Sequence, residues 1–266
     1  MSTLITRRQV DTLVVAITHE IQETALKAIG DCVEQGCEVK SVARFYENLS
    51  GRIPVEHINH AWFAYELNEA NRKIYTVTKR LFDIFFSLLG LLAIGLILPI
   101  IALLIKLESN GPVIYSQVRV GKGGKPFKIY KFRSMIQNAE SGGAVWAREN
   151  DTRITKVGMF LRKSRLDELP QLVNVLIGDM SLVGPRPERP EFGETLSDAI
   201  PFYNRRHIVL PGITGWAQIK FPYAASIADA REKLQYDLYY IKNRSIFLDL
   251  VILARTILVV IKKLGR

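Results

Sequence analysis

Cysteine is scarce in this 266-residue chain: Cys32 and Cys37 are the only two. No histidine stands at metal-ligand spacing from them, so neither a disulfide framework nor a zinc site is expected, and inert, buried thiols in a reducing compartment fit better. The phosphate-binding signatures are missing too. There is no G-x-G-x-x-G and no G-x-x-x-x-G-K-[ST], so nothing suggests a dinucleotide fold or a P-loop. The basic glycine stretch Gly121-Lys-Gly-Gly-Lys125 therefore reads as a hairpin turn. Met1 to Val10 is polar, without the apolar core or small-residue cleavage site of a signal peptide, so the body of the chain is expected to stay in the cytoplasm. No internal repeat is visible.

What is present is unevenly placed. The formal charge is +10. Residues 1–75 hold 8 Lys/Arg and 10 Asp/Glu, whereas residues 76–266 hold 28 and 16. The second part therefore expects a negatively charged partner: nucleic acid, anionic lipid or a phosphorylated substrate. Nucleic acid is the weakest of these, since no helix-turn-helix or RNP-like motif occurs and the basic residues form no single stripe.

The first part reads as strand (Thr12–Ala16), helix (Glu20–Gln35, stopped at Gly36) and strand (Glu38–Val42), a small βαβ-like unit too slight to hold a core alone. A spacer is expected from there to about Thr78. Ile84 to Ile105 then runs 22 residues without a charged side chain, long enough for a bilayer core of ~30 Å. By length alone this is a plain membrane-spanning helix. Its flanks argue otherwise, with Lys79 and Arg80 before it and Lys106, Arg119, Lys122, Lys125, Lys128, Lys131 and Arg133 after it. Lys and Arg accumulate on the cytoplasmic side, so both ends look cytoplasmic. A re-entrant helical hairpin satisfies both, with Gly95 and Pro99 as places to bend. Two strands, Val113–Val120 and Pro126–Phe132, follow as a small β-hairpin. Ile227–Asn243 reads as an amphipathic helix. Ile246–Ile261 places Phe247, Leu250, Val251, Ala254 and Leu258 on one face, which suits either a core helix or one lying at a membrane surface.

Chemistry concentrates at Leu166-Asp-Glu-Leu-Pro-Gln171. Leu169, Leu172, Val173 and Leu176 repeat at helical spacing up to Gly178, and Pro170 suits a first turn, so Asp167 and Glu168 are expected at a helix N-terminus. Judged alone, an acidic first turn is ordinary capping. The surroundings point further. Arg162, Lys163 and Arg165 come just before the pair, and Val183-Gly-Pro-Arg-Pro187 follows, with Pro185 and Pro187 fixing the backbone around Arg186. Paired carboxylates among arginines suit a magnesium–diphosphate site, and an ionised carboxylate can attack phosphorus.

Residues from about 79 to 266 resemble the bacterial sugar transferases, the monotopic phosphoglycosyl transferases that start glycan assembly on polyprenol phosphate. The matching stretches are Lys79-Arg-Leu-Phe-Asp83, Gly111-Pro-Val-Ile-Tyr-Ser-Gln117, Lys128-Ile-Tyr-Lys-Phe-Arg-Ser-Met135, Leu166-Asp-Glu-Leu-Pro-Gln171, Gly178-Asp-Met-Ser-Leu-Val-Gly-Pro-Arg-Pro187 and Leu210-Pro-Gly-Ile-Thr-Gly-Trp-Ala-Gln218. The resemblance implies an α+β, membrane-associated protein: a partial Rossmann-like segment over 1–75, then a transferase domain over 76–266 with a re-entrant membrane helix at 84–105. It implies Asp167 as nucleophile on a UDP-sugar, Glu168 as its catalytic partner, Mg²⁺ held by Asp167 and Glu168, and Lys131, Arg133, Arg162, Pro185 and Arg186 in substrate binding. UMP would leave, and a polyprenyl (undecaprenyl) phosphate would take the sugar-phosphate. The implied partners are the UDP-sugar, the polyprenyl phosphate and membrane lipids, with a homodimer left open and no nucleic acid. The implied place is the cytoplasmic face of a bacterial inner membrane. Resemblance to exopolysaccharide-type members leans toward UDP-glucose or UDP-galactose. The family breaks its membrane helix at a Ser-Pro pair expected near Leu96. Here Gly95-Leu96 stands there and Pro99 comes one turn later. The alternatives are a membrane-tethered nucleic-acid-binding protein, for which the recognition motifs are missing, a polytopic sugar-phosphate transferase, for which one hydrophobic segment is too few, and a scaffold with a dead site, against which the intact Asp-Glu pair speaks.

Overall fold

The computed structural model describes residues 10–16, 22–67, 73–137, 139, 151–221 and 226–262. Within them the chain runs β1 (Thr12–Val15), α1 (Glu23–Glu34), β2 (Glu38–Ser41), α2 (Val42–Ser50), α3 (His60–Glu66), α4 (Lys73–Glu108), β3 (Ile114–Val120), β4 (Pro126–Phe132), α5 (Lys156–Lys163), α6 (Gln171–Ile177), β5 (Ser181–Val183), α7 (Pro190–Ala199), β6 (Gly212–Thr214), α8 (Trp216–Lys220), α9 (Ile227–Asn243) and α10 (Ile246–Ile261). Short 3-10 turns lie at Val55–His57, Lys122–Gly124, Leu166–Glu168 and Tyr203–Ile208. The strands form three two-stranded sheets: β1–β2 parallel, β3–β4 antiparallel and β5–β6 parallel. The expected mixture of helices and strands is therefore present. The start of the first expected helix (Glu20, Ile21) and the basic residues Lys263 and Arg266 lie outside the described residues.

β1, α1 and β2 make the expected βαβ unit. Its buried cluster is small, Cys32 and Cys37 with Val10 and Leu13 packed against them. Both thiols are free, and each donates to a carbonyl, Cys32 to Ala28 at 2.9 Å and Cys37 to Val10 at 2.8 Å.

The expected spacer is mostly structured. α2, α3 and the segment between them pack against α8 and α9: Glu47 accepts from Lys242 (2.7 Å) and Asn243 (2.8 Å), Glu66 pairs with Lys242 (2.7 Å), the Ile53 amide donates to the Gln235 carbonyl, and the Trp216 indole donates to the Gly51 carbonyl. Ile53, Val55, Ile58 and Phe63 belong to the main core together with residues such as Leu161, Val175, Leu234 and Ile241. Gly51 and Pro54 interrupt any apolar period there, so the packing left no pattern in the sequence. The smaller buried cluster extends no further than Cys37, and the main core takes up from Ile53.

α4 is 36 residues long, ~54 Å if straight at 1.5 Å per residue, and it continues through Gly95 and Pro99. By length and composition it could cross a membrane: its most apolar window has a mean hydropathy of 3.0 and is 17% buried. Asp83, Ser87, Ile94, Ile101 and Ile105 are its buried positions, while every residue from 95 to 100 is exposed. Both ends are tied to the same body. Near the start, Arg80 donates to the Val175 and Leu176 carbonyls (2.6 and 2.7 Å), Lys79 pairs with Asp249 (2.8 Å), and Asp83 accepts the Leu182 amide (3.1 Å). At the far end, Glu108 accepts the first two amides of α5, from Lys156 (2.6 Å) and Val157 (2.8 Å). α10 turns Phe247, Leu250, Ala254, Ile257 and Leu258 outward and buries Asp249 and Ile252, close to the face expected from its spacing.

Candidate active site

The expected single helix from Leu166 is two elements. Leu166–Glu168 form a 3-10 turn, and α6 begins at Gln171 behind Pro170, which makes no side-chain cap. The chain enters the turn through Arg165, a non-glycine residue at φ 59, a conformation that costs energy and concentrates at functional sites. Neither carboxylate caps α6. This corrects the expectation that a helix N-terminus stabilises them, and it removes the capping explanation for the pair. Both are nevertheless buried, at 7% exposure each.

Their surroundings differ. Glu168 Oε1 accepts from Lys131 Nζ and from Arg186 Nη2, both at 2.8 Å. Burial pushes its carboxyl up, but Arg186 and then Lys131 outweigh that and hold it well below the usual carboxylate range. Asp167 Oδ1 is buried and has no hydrogen-bond partner. Burial, then the charge of Glu168, push the Asp167 carboxyl above its ordinary value against the pull of Lys131, Arg162 and Arg165. Asp167 is thus an unsatisfied acceptor in a cationic surround, which invites a ligand.

Each cation has its own support. Lys131 comes from β4, which Asn174 of α6 holds: its side chain accepts the Tyr130 amide (3.1 Å) and donates to the Lys128 carbonyl (2.7 Å). Asn174 is fully buried and acts as a surrogate strand neighbour, fixing Lys131 relative to the turn that carries Glu168. Arg162 comes from α5, and its Nε donates to Ser134 Oγ at 2.8 Å. α5 can lie this close because Gly158 faces the Ser134 backbone; a Cβ there would sit 2.0 Å from the Ser134 carbonyl oxygen. Burial lowers the Arg162 pKa from its high ordinary value.

Arg186 lies in the stretch after β5, where each successive carbonyl is taken. The Gly212 amide donates to Pro185 (2.9 Å), Arg206 to Arg186 (3.0 Å), Arg119 to Pro187 (3.2 Å) and the Val120 amide to Glu188 (2.9 Å). Arg206 is itself buried and paired with Asp237 at 2.8 Å. The flanking prolines are therefore only part of what orders Arg186.

Of the residues singled out in the sequence, Asp167, Glu168, Lys131, Arg162 and Arg186 come together, and Pro185 shapes the loop that carries Arg186. Arg133 does not join them. Its guanidinium donates to the Asn110 carbonyl (3.0 Å) and to Ser109 at both its carbonyl (2.6 Å) and Oγ (2.9 Å), closing the C-terminal end of α4 where free carbonyls and the dipole favour a cation. Strand alternation sends Lys131 and Arg133 to the same side, so only the end of β4 separates their roles. Ser134, Asn174, Arg206 and Asp237 escaped the sequence reading, and Arg119 was read only as a flanking charge. Asn174, Arg206 and Arg119 bond backbone groups distant in sequence, Ser134 accepts from Arg162 and Asp237 pairs with Arg206, and no local pattern encodes such partners.

A comparison with known proteins matches residues 74–263 to the family described as Bacterial sugar transferase. Over 237 residues the chain is 46% identical to a UDP-N-acetylgalactosamine-undecaprenyl-phosphate N-acetylgalactosaminephosphotransferase of Aeromonas hydrophila, covering 88% of this chain and 55% of that protein. It is 39% identical over 251 residues to a UDP-glucose:undecaprenyl-phosphate glucose-1-phosphate transferase of Klebsiella pneumoniae, covering 93% of this chain and 54% of the other. It is also 44% identical over 187 residues to the exopolysaccharide production protein PSS of Rhizobium leguminosarum bv. phaseoli, covering 68% of this chain and 94% of the relative. The chain thus spans about half the length of the first two relatives and nearly all of the third. The profile match, over most of the chain and through every part of the site described above, shows that this chain belongs to the bacterial sugar transferase family.

Proposed function

We propose that this chain is a membrane-associated enzyme that transfers a sugar-1-phosphate from a UDP-sugar to undecaprenyl phosphate, as the first membrane step of exopolysaccharide or related glycan assembly. The observation that carries the reading is the asymmetry of the acidic pair: Glu168 is neutralised by two cations, while Asp167 presents a buried, unpartnered oxygen to the same cationic surround.

In this reading the Asp167 carboxylate attacks the phosphorus that bears the sugar. The bond to the bridging oxygen breaks, UMP leaves with that oxygen, and an aspartyl phospho-sugar remains. An oxygen of the lipid phosphate then attacks the same phosphorus and returns Asp167 as a carboxylate. Lys131, Arg162 and Arg186 hold the phosphate oxygens and stabilise the charge that moves between them. Burial of Asp167 keeps water away from the intermediate.

Mg²⁺ fits this donor set. Among the described residues no cluster of three or more His, Cys, Asp or Glu side chains could hold a metal. A pair of carboxylates completed by substrate phosphates and water is the coordination Mg²⁺ favours, and the open Asp167 oxygen supplies a ligand. When bound, the ion would offset the charge of the diphosphate, with Asp167 and Glu168 as its protein ligands.

The membrane arrangement we favour is re-entrant, at the cytoplasmic face of a bacterial inner membrane. Arg80 and Glu108 are 28 residues apart, ~42 Å along a straight helix. Their partners on α6 and α5 belong to short, nearly consecutive elements of one body, and the exposed stretch from 95 to 100 lies between the two anchorages. A fold-back near Gly95 and Pro99 reconciles these facts. Single cysteines at Ser2 and Gly143 should both label only from the cytoplasmic side; labelling of one of them from outside would restore a simple span.

The relatives' names divide between UDP-N-acetylgalactosamine and UDP-glucose, so the donor is best sought among UDP-hexoses and UDP-acetamido hexoses. The test is UMP release from a panel of such donors with undecaprenyl phosphate. Release from at least one donor, dependent on the lipid for turnover, is the expected result. No release from any of them would refute the reading.

A further inference from the structure

The β3–β4 hairpin places a second cation on the same face as Lys131. Tyr115 lies opposite Lys131, Gln117 opposite Ile129 and Arg119 opposite Phe127. Directly opposed residues share a face and alternate residues return to it, so Arg119 and Lys131 lie on one face, four positions apart, ~13 Å along the strands. Glu168 is bonded to Lys131, and Arg186 to Glu168. Arg119 reaches the same loop as Arg186 by donating to the Pro187 carbonyl at 3.2 Å, and its other arm donates to Gln117 at 2.6 Å.

Arg119 is partly buried, yet among the described residues it makes no ion pair with a carboxylate within 4.0 Å. Burial, then the like charge of Arg186, bring its pKa down to about 10, with Glu188 pulling the other way. Arg186 is paired with Glu168, but Arg119, held against the same loop, has no bonded carboxylate of its own among the described residues, and its buried Nε has no partner, so an anion held by Arg119 together with Arg186 would satisfy it. The strip is polarised. At one end Asp167, Arg162 and Lys131 surround the proposed point of attack, and at the other Arg186 and Arg119 remain for a second phosphate.

We propose that Arg119 is a phosphate-binding residue that, with Arg186, holds the nucleotide-side phosphate of the donor, the one that departs in UMP. The inference rests on the donor reading above and adds its direction: the sugar end toward Asp167 and the uridine end toward the Gly121 turn and Pro187.

The test uses the full chain in detergent, comparing wild type, Arg119→Gln and Arg119→Lys. Two constants are read, the inhibition constant of UMP against the donor and the KM of a short isoprenyl phosphate acceptor. Arg119→Gln should raise the UMP constant about tenfold and leave the acceptor KM within about twofold. Arg119→Lys, which keeps a cation on the same face, should stay within about threefold of wild type on both. An unchanged UMP constant in Arg119→Gln would overturn the proposal. So would equal weakening of UMP and acceptor, which marks a general disturbance, or weakening of the acceptor alone, which would give Arg119 to the lipid phosphate. If UMP fails to inhibit the wild type, the donor reading itself falls.

Discussion

The βαβ unit of residues 12–41 and the strand pairs between residues 114 and 214 use the same material, short two-stranded sheets braced by helices, but they bury different things. The first hides two thiols and a few apolar side chains. The second hides Asp167, Glu168, Arg189, Arg206 and Asp237 along with its apolar core. Buried charge is costly unless it is paired, and a fold keeps it where something has to be done with it. The contrast separates an accessory unit, held together weakly, from a body organised around one strip of charge.

The largest effect that could break this comparison is metal removal. If the charged strip works on a diphosphate, excess EDTA should abolish turnover and Mg²⁺ should restore it, while the thermal midpoint moves little. Full turnover in EDTA would mean that the carboxylates serve another purpose.

Next comes the pair itself. Glu168→Gln removes the shared counter-ion of Lys131 and Arg186, and activity should fall about 100-fold. The two carboxylates should also act oppositely on stability. The depressed Glu168 carboxyl stabilises the fold above its unfolded pKa of about 4.3, and that contribution is lost as pH falls through the lower folded value. Asp167 has a raised folded pKa, so its ionised form works against folding at neutral pH and the penalty is relieved as pH falls. Melting curves at pH 7 should therefore show Glu168→Gln below wild type and Asp167→Asn at or above it, by on the order of 1 kcal/mol or ~3 °C in each direction. A drop in both would mean that Asp167 is a structural cap after all.

A smaller effect is expected one layer out. Asn174→Leu leaves the Tyr130 amide and Lys128 carbonyl buried without their partner, which should cost about 2 kcal/mol and lower donor affinity as Lys131 loosens. Denaturant melts and donor KM measure the two consequences. The smallest effect belongs to the accessory unit. Removing residues 1–41 leaves α2 and its contacts with α9 in place, and kcat should change by no more than about twofold, since among the described residues the deleted part shares no partners with the site. A large loss would show that the two regions are coupled.

Much of this architecture was legible in the chain. Alternation and turn residues located the β3–β4 hairpin almost to the residue, and the spacings of Ile227–Asn243 and Ile246–Ile261 matched their helices. Asp167, Glu168, Lys131, Arg162 and Arg186 were recognisable because long motifs carry them. Three things were not legible. The turn at Leu166–Glu168 has the same leucine spacing as a helix, and only the left-handed Arg165 and the position of Pro170 separate them. The packing of Ile53 to Phe63 leaves no period. The assignment of Arg133 and Arg119 to different tasks depends on what lies beyond each end of the hairpin, which strand alternation cannot reveal.

The central claim is that Asp167 carries the sugar-phosphate, and intact-mass measurement of the protein mixed with UDP-sugar and Mg²⁺, without lipid, tests it most directly. Wild type should release about one UMP per chain and gain the mass of one sugar-phosphate, located on the peptide containing Asp167 and discharged when undecaprenyl phosphate is added. Asp167→Asn should show neither. An adduct on another residue, or normal turnover by Asp167→Asn, would contradict the account and favour direct attack of the lipid phosphate on the donor.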